Sequence, residues 1–323
     1  MTNYCDICGK SLAKEDRYHA ACLRRLFGTP TLPVVELSHG EVLSKAQEMA
    51  GRMSISGVQP KLSMTRQGSR LVPVTAGGQF ILKPQTERFP SLPQNENLCM
   101  IIASRLEIDV PPHGLFDLRD GSPAYVVRRF DRTKDGGKLR CEDFVQILGE
   151  DNKYAGSLER VGKRLRELSS VPGLDGQLLF ERVLLNFLLG NGDAHLKNFS
   201  LLESDEGGLR LSPAYDIVCS KAVIPKESDS ALTLNGKADK LRRGDFEKFG
   251  AGLKIPAKVV GGILERFRES QPVMLEEIQH SRLSPELQDK VRQVIEERHQ
   301  RLYGKTALSA AAAAAVVSPV RAP

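Results

Sequence analysis

The chain has 323 residues, of which 41% are hydrophobic and 27% charged, and its formal net charge is +6. These values are typical of a globular protein with one large or two modest domains, and the mild positive charge favours an acidic partner such as ATP or nucleic acid without requiring one. No uncharged apolar run approaches the roughly 18 residues that a membrane span needs, and the amino terminus lacks the pattern of a secretory signal. The six cysteines do not form the pattern of a disulfide framework, so we expect a reducing, cytoplasmic location and no membrane partner.

The first 28 residues contain two closely spaced pairs of candidate metal ligands. Cys5 and Cys8 form one pair, and His19 and Cys22 form the other after a ten-residue spacer. This pattern is typical of a tetrahedral zinc site, and the glycine after Cys8 permits the tight turn that such a site needs. A structural zinc ion is therefore predicted. The alternatives are unrelated thiols or, with less support because no long recognition helix follows, a nucleic-acid-binding finger.

Residues 29–130 are predicted to form a small β-rich unit. A loop of small residues that includes Ser56 and Gly57 enters a strand, and such a loop can bring backbone amides close to phosphate oxygens. Most loops of this kind are only turns, so the signal is weak by itself. The expected elements are a helix near 41–50, strands at 70–75 and 79–84, a helix from 94 to about 106, and a hairpin of strands 113–118 and 124–130.

One lysine and one glutamate of this unit are candidates for nucleotide binding. Lys83 ends an apolar strand, so its stem can stay packed while its ammonium group reaches a cleft. In a kinase-like fold it would contact the ATP phosphates and pair with a helical glutamate, for which Glu96 is the candidate. A solvated strand end is the alternative for Lys83 alone.

Residues 131–306 are predicted to form a larger, mainly helical unit. The connection into it, residues 125–132, would be the adenine-binding hinge of a two-lobed kinase. The first helix of this unit is expected at 142–149, and short strands are expected at 199–202 and 209–211. An amphipathic helix at 285–302 is expected to end the unit. The alanine-rich residues 307–323 are expected to be a disordered tail.

The densest group of polar side chains follows a buried helix expected at 178–189. Asp193, then Asn198 five residues on, then Asp216 match the spacing used for phosphoryl transfer. In that chemistry the first aspartate orients the attacking hydroxyl and accepts its proton, while the amide and second carboxylate hold Mg²⁺, a hard ion that prefers oxygen ligands. His195 either acts as a second base or orients the Asp193 loop. Lys197 either neutralises the transferred phosphoryl group or is solvated.

Taken together, these motifs resemble the HipA family of bacterial serine/threonine kinases, toxins of toxin–antitoxin systems. The resemblance covers residues from about 50 to 300 in the family's order, and the set is specific although each motif alone is not. The matching segments are 54–61, 80–84, 95–96, 129–132, 190–198 and 213–216.

The resemblance implies an α+β, two-lobed protein-kinase-like fold with a small β-rich N-lobe and a larger helical C-lobe. It implies that Lys83 binds ATP, that Asp193 is the catalytic base, and that Asn198 and Asp216 bind Mg²⁺. It also places Arg128, Phe130 and Asp131 beside the adenine and ribose pocket.

The chain has about 50 residues ahead of the phosphate loop, fewer than full-length HipA, and is therefore similar to the short form HipT. That form works with a small protein, HipS, and a DNA-binding protein, HipB, so contact with DNA would be indirect. The resemblance implies autophosphorylation at Ser54 or Ser56, which would place negative charge where the ATP phosphates should sit. It further implies an aminoacyl-tRNA synthetase as the substrate.

Two other classes of function compete with a toxin kinase. A small-molecule kinase on a related fold would form no phosphoprotein with candidate proteins. A non-enzymatic zinc- or nucleic-acid-binding regulator would bind DNA tightly and in a salt-sensitive way. The retention of Lys83, Asp193, Asn198 and Asp216 favours the protein kinase.

Overall fold

The first half of the chain is organised around an antiparallel five-stranded sheet in the order β2-β1-β3-β5-β4. The computed structural model describes residues 3–13, 16–50, 59–133, 135–204 and 207–304. The strands of this sheet are β1 (Leu62–Gln67), β2 (Arg70–Pro73), β3 (Phe80–Pro84), β4 (His113–Asp117) and β5 (Pro123–Arg128). Three helices accompany them, α1 (Ala20–Phe27), α2 (His39–Ala50) and α3 (Leu92–Arg105).

The alternation of side chains along β3 divides the sheet into two faces. Phe80 and Leu82 join an apolar core that α1 and α2 cover. Ile81 and Lys83 point to the opposite face, where α3 packs and where the cleft opens. Because β3 and β5 pair with Lys83 opposite Tyr125, the same division continues across the sheet.

The amino-terminal segment is part of this lobe and not a separate unit. Cys5, Ile7 and Phe27 lie in the same core as Phe80 and Phe116, and the ring of Phe27 lies 5.4 Å from that of Phe80 and 5.3 Å from that of Phe116. Aromatic pairs at this separation contribute about 0.5–1.5 kcal/mol beyond their buried area. The segment is therefore fixed to the sheet by its own apolar side chains.

The second half is mainly helical and carries a small antiparallel sheet in the order β6-β7-β8. Its strands are β6 (Cys141–Asp143), β7 (Ser200–Glu203) and β8 (Leu209–Leu211). Its helices are α4 (Phe144–Leu148), α5 (Leu158–Leu168), α6 (Pro172–Leu188), α7 (Arg243–Gly252), α8 (Ala257–Glu269), α9 (Gln271–His280) and α10 (Pro285–Tyr303). Helix α6 lies at the centre, and most of its side chains from Leu179 onward are buried. We propose that the two lobes meet near residue 130, between β5 and β6.

The predicted elements are present, with one correction. Glu142 and Asp143 belong to β6, and α4 begins only at Phe144, because the Asp143 side chain accepts a hydrogen bond from the Gln146 amide and caps the helix. The predicted tail, 307–323, and the phosphate-loop residues Ser54, Ser56 and Gly57 lie outside the described residues. Within the described ranges, no helix is both long and apolar enough to cross a membrane.

Candidate active site

Helix α6 positions the loop that contains Asp193. The helix ends at Leu188, and Gly190 follows with a φ of 67°, in the left-handed region that glycine adopts without strain. A Cβ atom at Gly190 would lie 2.5 Å from Cγ1 of Val294, so the close packing of α10 also requires a glycine here. The Asn191 amide then donates to the carbonyl of Asn186, at 2.8 Å, and fixes the direction of the loop.

The loop and the segment after β8 bring the two predicted metal ligands together. The His195 amide donates to Oδ1 of Asn198 at 2.9 Å, which fixes the rotamer of that side chain. The Nδ2 atom of Asn198 lies 3.4 Å from Oδ2 of Asp216. Asp216 itself has a φ of 56°, a costly conformation for a residue that is not glycine, and such strain concentrates at functional sites.

A lysine and two carboxylates form what we call the cleft cluster: Lys83, Glu96 and Asp216. The ammonium group of Lys83 lies 2.6 Å from Oε1 of Glu96 and also contacts Oδ1 of Asp216. Lys83 and Glu96 are buried, whereas 44% of the Asp216 side chain is exposed to the cleft. Lys83 therefore joins the sheet, helix α3 and the Asp216 segment at one point.

The cleft cluster shifts the pKa values of its members. Burial lowers the pKa of Lys83, but Asp216 and Glu96 more than offset this effect and raise it above its usual value. Burial raises the pKa of Asp216, yet the nearby Lys83 ammonium holds it below its usual range. Burial raises the pKa of Glu96, and Lys83 only partly opposes that rise. Asp216 is thus ionised and open to a cation at neutral pH.

Asp193 is half-buried, and Tyr154 donates a hydrogen bond to its Oδ1 atom at 2.9 Å. The ring of His195 packs edge-on against Tyr154, with the centroids 5.4 Å apart. Burial lowers the pKa of His195, and Asp193 opposes this only in part, so the ring is neutral at pH 7. Of the two roles left open for His195, this packing favours orienting the loop.

The other predicted nucleotide-binding residues are not all in one place. The ring of Phe130 lies 5.3 Å from that of Tyr215, beside Asp216, and Asp131 is held by Arg129 and Arg132. Arg128 is on the opposite face of the sheet from Lys83, and its guanidinium reaches the carbonyl of Arg25. Its assignment to the nucleotide pocket has no support from this placement.

Lys197 is exposed, and its carbonyl accepts a hydrogen bond from the Tyr215 hydroxyl at 2.8 Å. Burial lowers the pKa of Lys61, Asp216 opposes this, and the nearby cations Lys83, Arg129 and Lys197 lower it further. Two lysines therefore face the cleft in addition to Lys83. The arrangement of lysines above carboxylate and amide oxygens fits a polyanion bound together with a hard divalent cation.

Sequence reasoning missed several side chains that support this site. Tyr154 stands in an irregular segment with no periodic pattern, so nothing in the sequence indicates its contact with Asp193. Asn95 and Asn97 flank Glu96 and are buried, and a run of three polar residues at a helix start was a signal that could have been followed. Asn95 exchanges two hydrogen bonds with the backbone of Cys219, at 2.8 and 3.1 Å.

The predicted metal ligands of the amino-terminal segment also come together. The ligand atoms of Cys5, Cys8, His19 and Cys22 all lie within 4.8 Å of one another. Its segment contacts α3 through the hydrogen bond from Asn97 to the carbonyl of Asp6, and it shares no residue with the cleft cluster, so it is a second site.

Comparisons with known proteins agree with this architecture. The chain is 31% identical over 247 residues to a protein of Haemophilus influenzae named as a candidate kinase, covering 71% of this chain and 72% of that protein. It is 32% identical to the candidate kinase Y4dM of Sinorhizobium fredii and 26% identical to the serine/threonine-protein kinase toxin HipA of Shewanella oneidensis. The matches cover 71% and 70% of this chain but only 61% and 57% of those two proteins.

Solved structures share the fold. HipA in a complex with HipB and operator DNA, from S. oneidensis, superposes with a TM-score of 0.69 at 22% identity, covering 85% of this chain and 73% of that one. The kinase CtkA of Helicobacter pylori superposes with a TM-score of 0.51 at 16% identity, covering 74% of this chain and 90% of that one. The fold is thus the two-lobed kinase-like fold that the sequence predicted. Residues 53–274 match the HipA-like C-terminal domain, and the chain belongs to the HipA-like family.

Proposed function

We propose that the protein is an ATP- and Mg²⁺-dependent serine/threonine protein kinase. The observation that carries the proposal is the convergence of Lys83 and Asn198 on Asp216, with Asp193 in the same loop as Asn198. Phosphoryl transfer needs little covalent chemistry from the protein and depends on positioning and charge, which these side chains supply.

Each residue has a defined task in this proposal. Lys83 binds the ATP phosphates and is positioned by Glu96, and Asn198 and Asp216 supply oxygen ligands for Mg²⁺, which would neutralise the phosphates. Asp193 accepts the proton of the attacking hydroxyl through the carboxylate oxygen that Tyr154 leaves free. Lys197 adds a positive charge at the edge of the cleft, and Phe130 and Asp131 border the nucleotide.

The biological role follows from the family. We propose a toxin of a type II toxin–antitoxin system that acts in the cytoplasm and phosphorylates an aminoacyl-tRNA synthetase, which would arrest translation. The solved complex of S. oneidensis HipA with HipB and operator DNA supports a HipB-like DNA-binding antitoxin as a partner. A HipS-like small subunit and autophosphorylation at Ser54 or Ser56 are proposed from the resemblance to the short form. To the cofactors we add zinc, at Cys5, Cys8, His19 and Cys22, because three thiols and one imidazole at this spacing are typical of a tetrahedral structural zinc site.

Intact-mass spectrometry of the purified chain tests this function. Wild type incubated with ATP and Mg²⁺ should gain a phosphate that maps to Ser54 or Ser56, whereas Asp193→Asn should gain none. Asp289→Asn is the matched control, since it removes an exposed carboxylate on α10 and should behave like wild type.

Added substrate separates the remaining alternatives. An aminoacyl-tRNA synthetase pool should gain phosphate with wild type only. ATP consumption without any phosphoprotein would overturn the protein-kinase assignment in favour of a small-molecule kinase. Salt-sensitive DNA binding by a chain that consumes no ATP would overturn it in favour of a regulator.

A further inference from the structure

The metal-ligand group in the amino-terminal segment has the detailed geometry of a zinc site. Zinc–sulfur and zinc–nitrogen bonds of tetrahedral sites separate neighbouring ligand atoms by about 3.5–3.8 Å. The Nδ1 atom of His19 lies 3.4 Å from Sγ of Cys8 and 3.9 Å from Sγ of Cys22. Three thiols and one imidazole therefore already stand close to the spacing that the ion requires.

The hydrogen bonds around the group orient its ligands. The Nε2 atom of His19 lies 3.1 Å from the carbonyl of Ser11, and a carbonyl can only accept, so Nε2 carries the proton and Nδ1 is free to bind a metal. The backbone amide of His19 points at Sγ of Cys5, at 3.5 Å, a contact that favours the thiolate. Gly9 turns the chain after Cys8 with a φ of 72°.

The segment that carries these ligands touches helix α3 directly beside Glu96. The carbonyl of Asp6, between Cys5 and Cys8, accepts hydrogen bonds from Nδ2 of Asn97 at 3.0 Å and from the amide of Leu115 at 3.2 Å. Asn97 is 4% exposed, so this bond is made away from water and is costly to lose.

The same segment also touches helix α9 of the other lobe. The ring of Tyr4 stacks on His280 with the centroids 3.5 Å apart and the planes at 12°. Gly9 packs against Glu277 and Ile101, and a Cβ atom there would lie 2.7 Å from the Ile101 side chain. Arg282, just beyond α9, lies 3.2 Å from Asp117 and 3.6 Å from Asp6. The segment thus bridges α3 of one lobe and α9 of the other.

Three consecutive buried residues of α3 therefore each hold a different part of the molecule. Asn95 holds the backbone of Cys219, three residues after Asp216, Glu96 holds Lys83, and Asn97 holds the metal-ligand segment. The position of Glu96 relative to Lys83 depends on both neighbours, because one helical turn is rigid. Loss of the hydrogen bond from Asn97 to Asp6 would therefore shift Glu96 relative to Lys83, the proposed ATP-binding lysine.

We propose that a zinc ion bound by Cys5, Cys8, His19 and Cys22 locks the amino-terminal segment as a bridge between the lobes, and that this bridge sets α3, and so Glu96, for nucleotide binding. The link to nucleotide binding rests on the proposed kinase function. The segment is short and the zinc bonds replace a core of its own, so loss of the ion frees the Asp6 carbonyl and the Tyr4 ring.

The first measurements are the zinc content of the chain and its amide hydrogen exchange, and neither requires kinase activity. Native mass spectrometry should find one zinc ion per wild-type chain, none in Cys22→Ser, and one in Cys141→Ser, a matched cysteine of β6 outside the group. Hydrogen exchange without ATP should rise about tenfold in α3 of Cys22→Ser, while α5, which does not touch the segment, keeps its wild-type rate. A metal-free wild type after growth in zinc, or unchanged exchange in α3 after zinc loss, would overturn the proposal.

A second variant separates bridging from folding. Tyr4→Leu removes the stacking on His280 but leaves all ligands, so it should keep zinc and raise exchange at the end of α9 by a few-fold. If Cys22→Ser does not fold, chelation of folded wild type followed by added zinc replaces it, and α3 exchange should rise and then return.

For a chain that transfers phosphate, the KM for ATP of the zinc-free form should rise about three- to tenfold with a smaller change in kcat. A fall in kcat alone would overturn the link to Glu96. Zinc binding and exchange are measured without ATP, so a failed kinase assay would not be mistaken for a failed bridge.

Discussion

Two clusters of charged side chains, both among the residues that the structure describes, differ in what surrounds them. The cleft cluster joins Lys83 to Glu96 and Asp216, one cation with two carboxylates. What we call the Asp229 cluster joins Asp229 to Arg298 and Arg301, and Glu297 completes it by pairing with Arg301. The cleft cluster carries excess negative charge, whereas the Asp229 cluster has equal numbers of both signs.

The environments differ as much as the charges do. Arg298 is 1% and Asp229 5% exposed, the guanidinium of Arg298 lies 4.8 Å above the ring of Phe187, and the amide of Leu241 donates to Asp229 at 3.1 Å. Asp216 instead opens to the cleft on a strained backbone. The pair of Asp229 and Arg298 is shielded from solvent, which indicates a role in stability. An open cluster with unbalanced charge has capacity left for a cation, and this difference identifies the functional one.

Removing the charge of Asp216 tests whether the cleft cluster is the functional one, and it should have the largest effect on activity. Asp216→Asn keeps the shape, leaves Lys83 paired with Glu96, and removes the negative charge of one proposed Mg²⁺ ligand. We expect kcat/KM to fall by about 10³-fold, roughly 4 kcal/mol of transition-state stabilisation. The midpoint of urea unfolding should stay within the wild-type range, because no buried charge loses its only partner. Full activity with a lowered midpoint would make the cleft cluster structural.

The same change in the Asp229 cluster should give the opposite pattern. Asp229→Asn removes the charge that directly contacts the buried guanidinium of Arg298 and leaves it only the more distant, exposed carboxylate of Glu297, at 3.5 Å. Breaking a buried pair in this way costs about 3–5 kcal/mol, which urea unfolding would detect. Phosphoryl transfer per folded molecule should match wild type. A loss of activity without a loss of stability would show that the two clusters are not distinct in role.

The Asp229 cluster also predicts the direction of a pH effect. Burial raises the pKa of Asp229, but Arg298 holds it below its usual value near 3.8. The unfolded chain therefore takes up the proton first as the pH falls, and the contribution of Asp229 to stability is complete above pH ~4 and is lost as the pH falls through the folded pKa. Below pH ~4 wild type should lose stability more steeply than Asp229→Asn, by at most about 1.4 kcal/mol per pH unit. Parallel curves for the two proteins would contradict this.

The sequence predicted those parts of the site that stand at the ends of regular elements. Lys83 closes an apolar strand, Glu96 opens a helix, and Asp193 follows a buried helix, so periodicity and chain breaks locate all three. Arg128 was predicted to border the nucleotide pocket but lies on the opposite face of the sheet from Lys83, because the face depends on the register between β3 and β5, which no local pattern sets. The spacing of Cys5, Cys8, His19 and Cys22 indicated that their side chains come together, and they do so because all four stand in one short segment.

The supporting contacts could not be predicted, because they join residues far apart in the chain. Asn95 meets Cys219 across 124 positions, and Asn97 meets Asp6 across 91. Only packing of the lobes decides these partners, and the sequence shows no more than that polar residues open α3. The position of Tyr154 against Asp193 is of the same kind, since a residue of an irregular segment acquires its neighbour from the fold.

Tyr154 offers the smallest of the expected effects on activity. Its hydroxyl occupies Oδ1 of Asp193 and leaves the other oxygen for the substrate hydroxyl, so it positions the carboxylate without touching the transferred group. Tyr154→Phe keeps the ring against His195 and removes only this hydrogen bond. A hydrogen bond to a charged group contributes about 1.5–3 kcal/mol when buried, and less here because Tyr154 is 47% exposed. We expect kcat to fall about three- to tenfold with the KM for ATP unchanged.

Tyr303→Phe, at the end of α10, removes a hydroxyl that has no partner among the described residues and should leave both constants at their wild-type values. An equal fall in both variants would mean that the Tyr154 hydroxyl does not act through Asp193, and a rise in the KM for ATP would place its contribution in nucleotide binding.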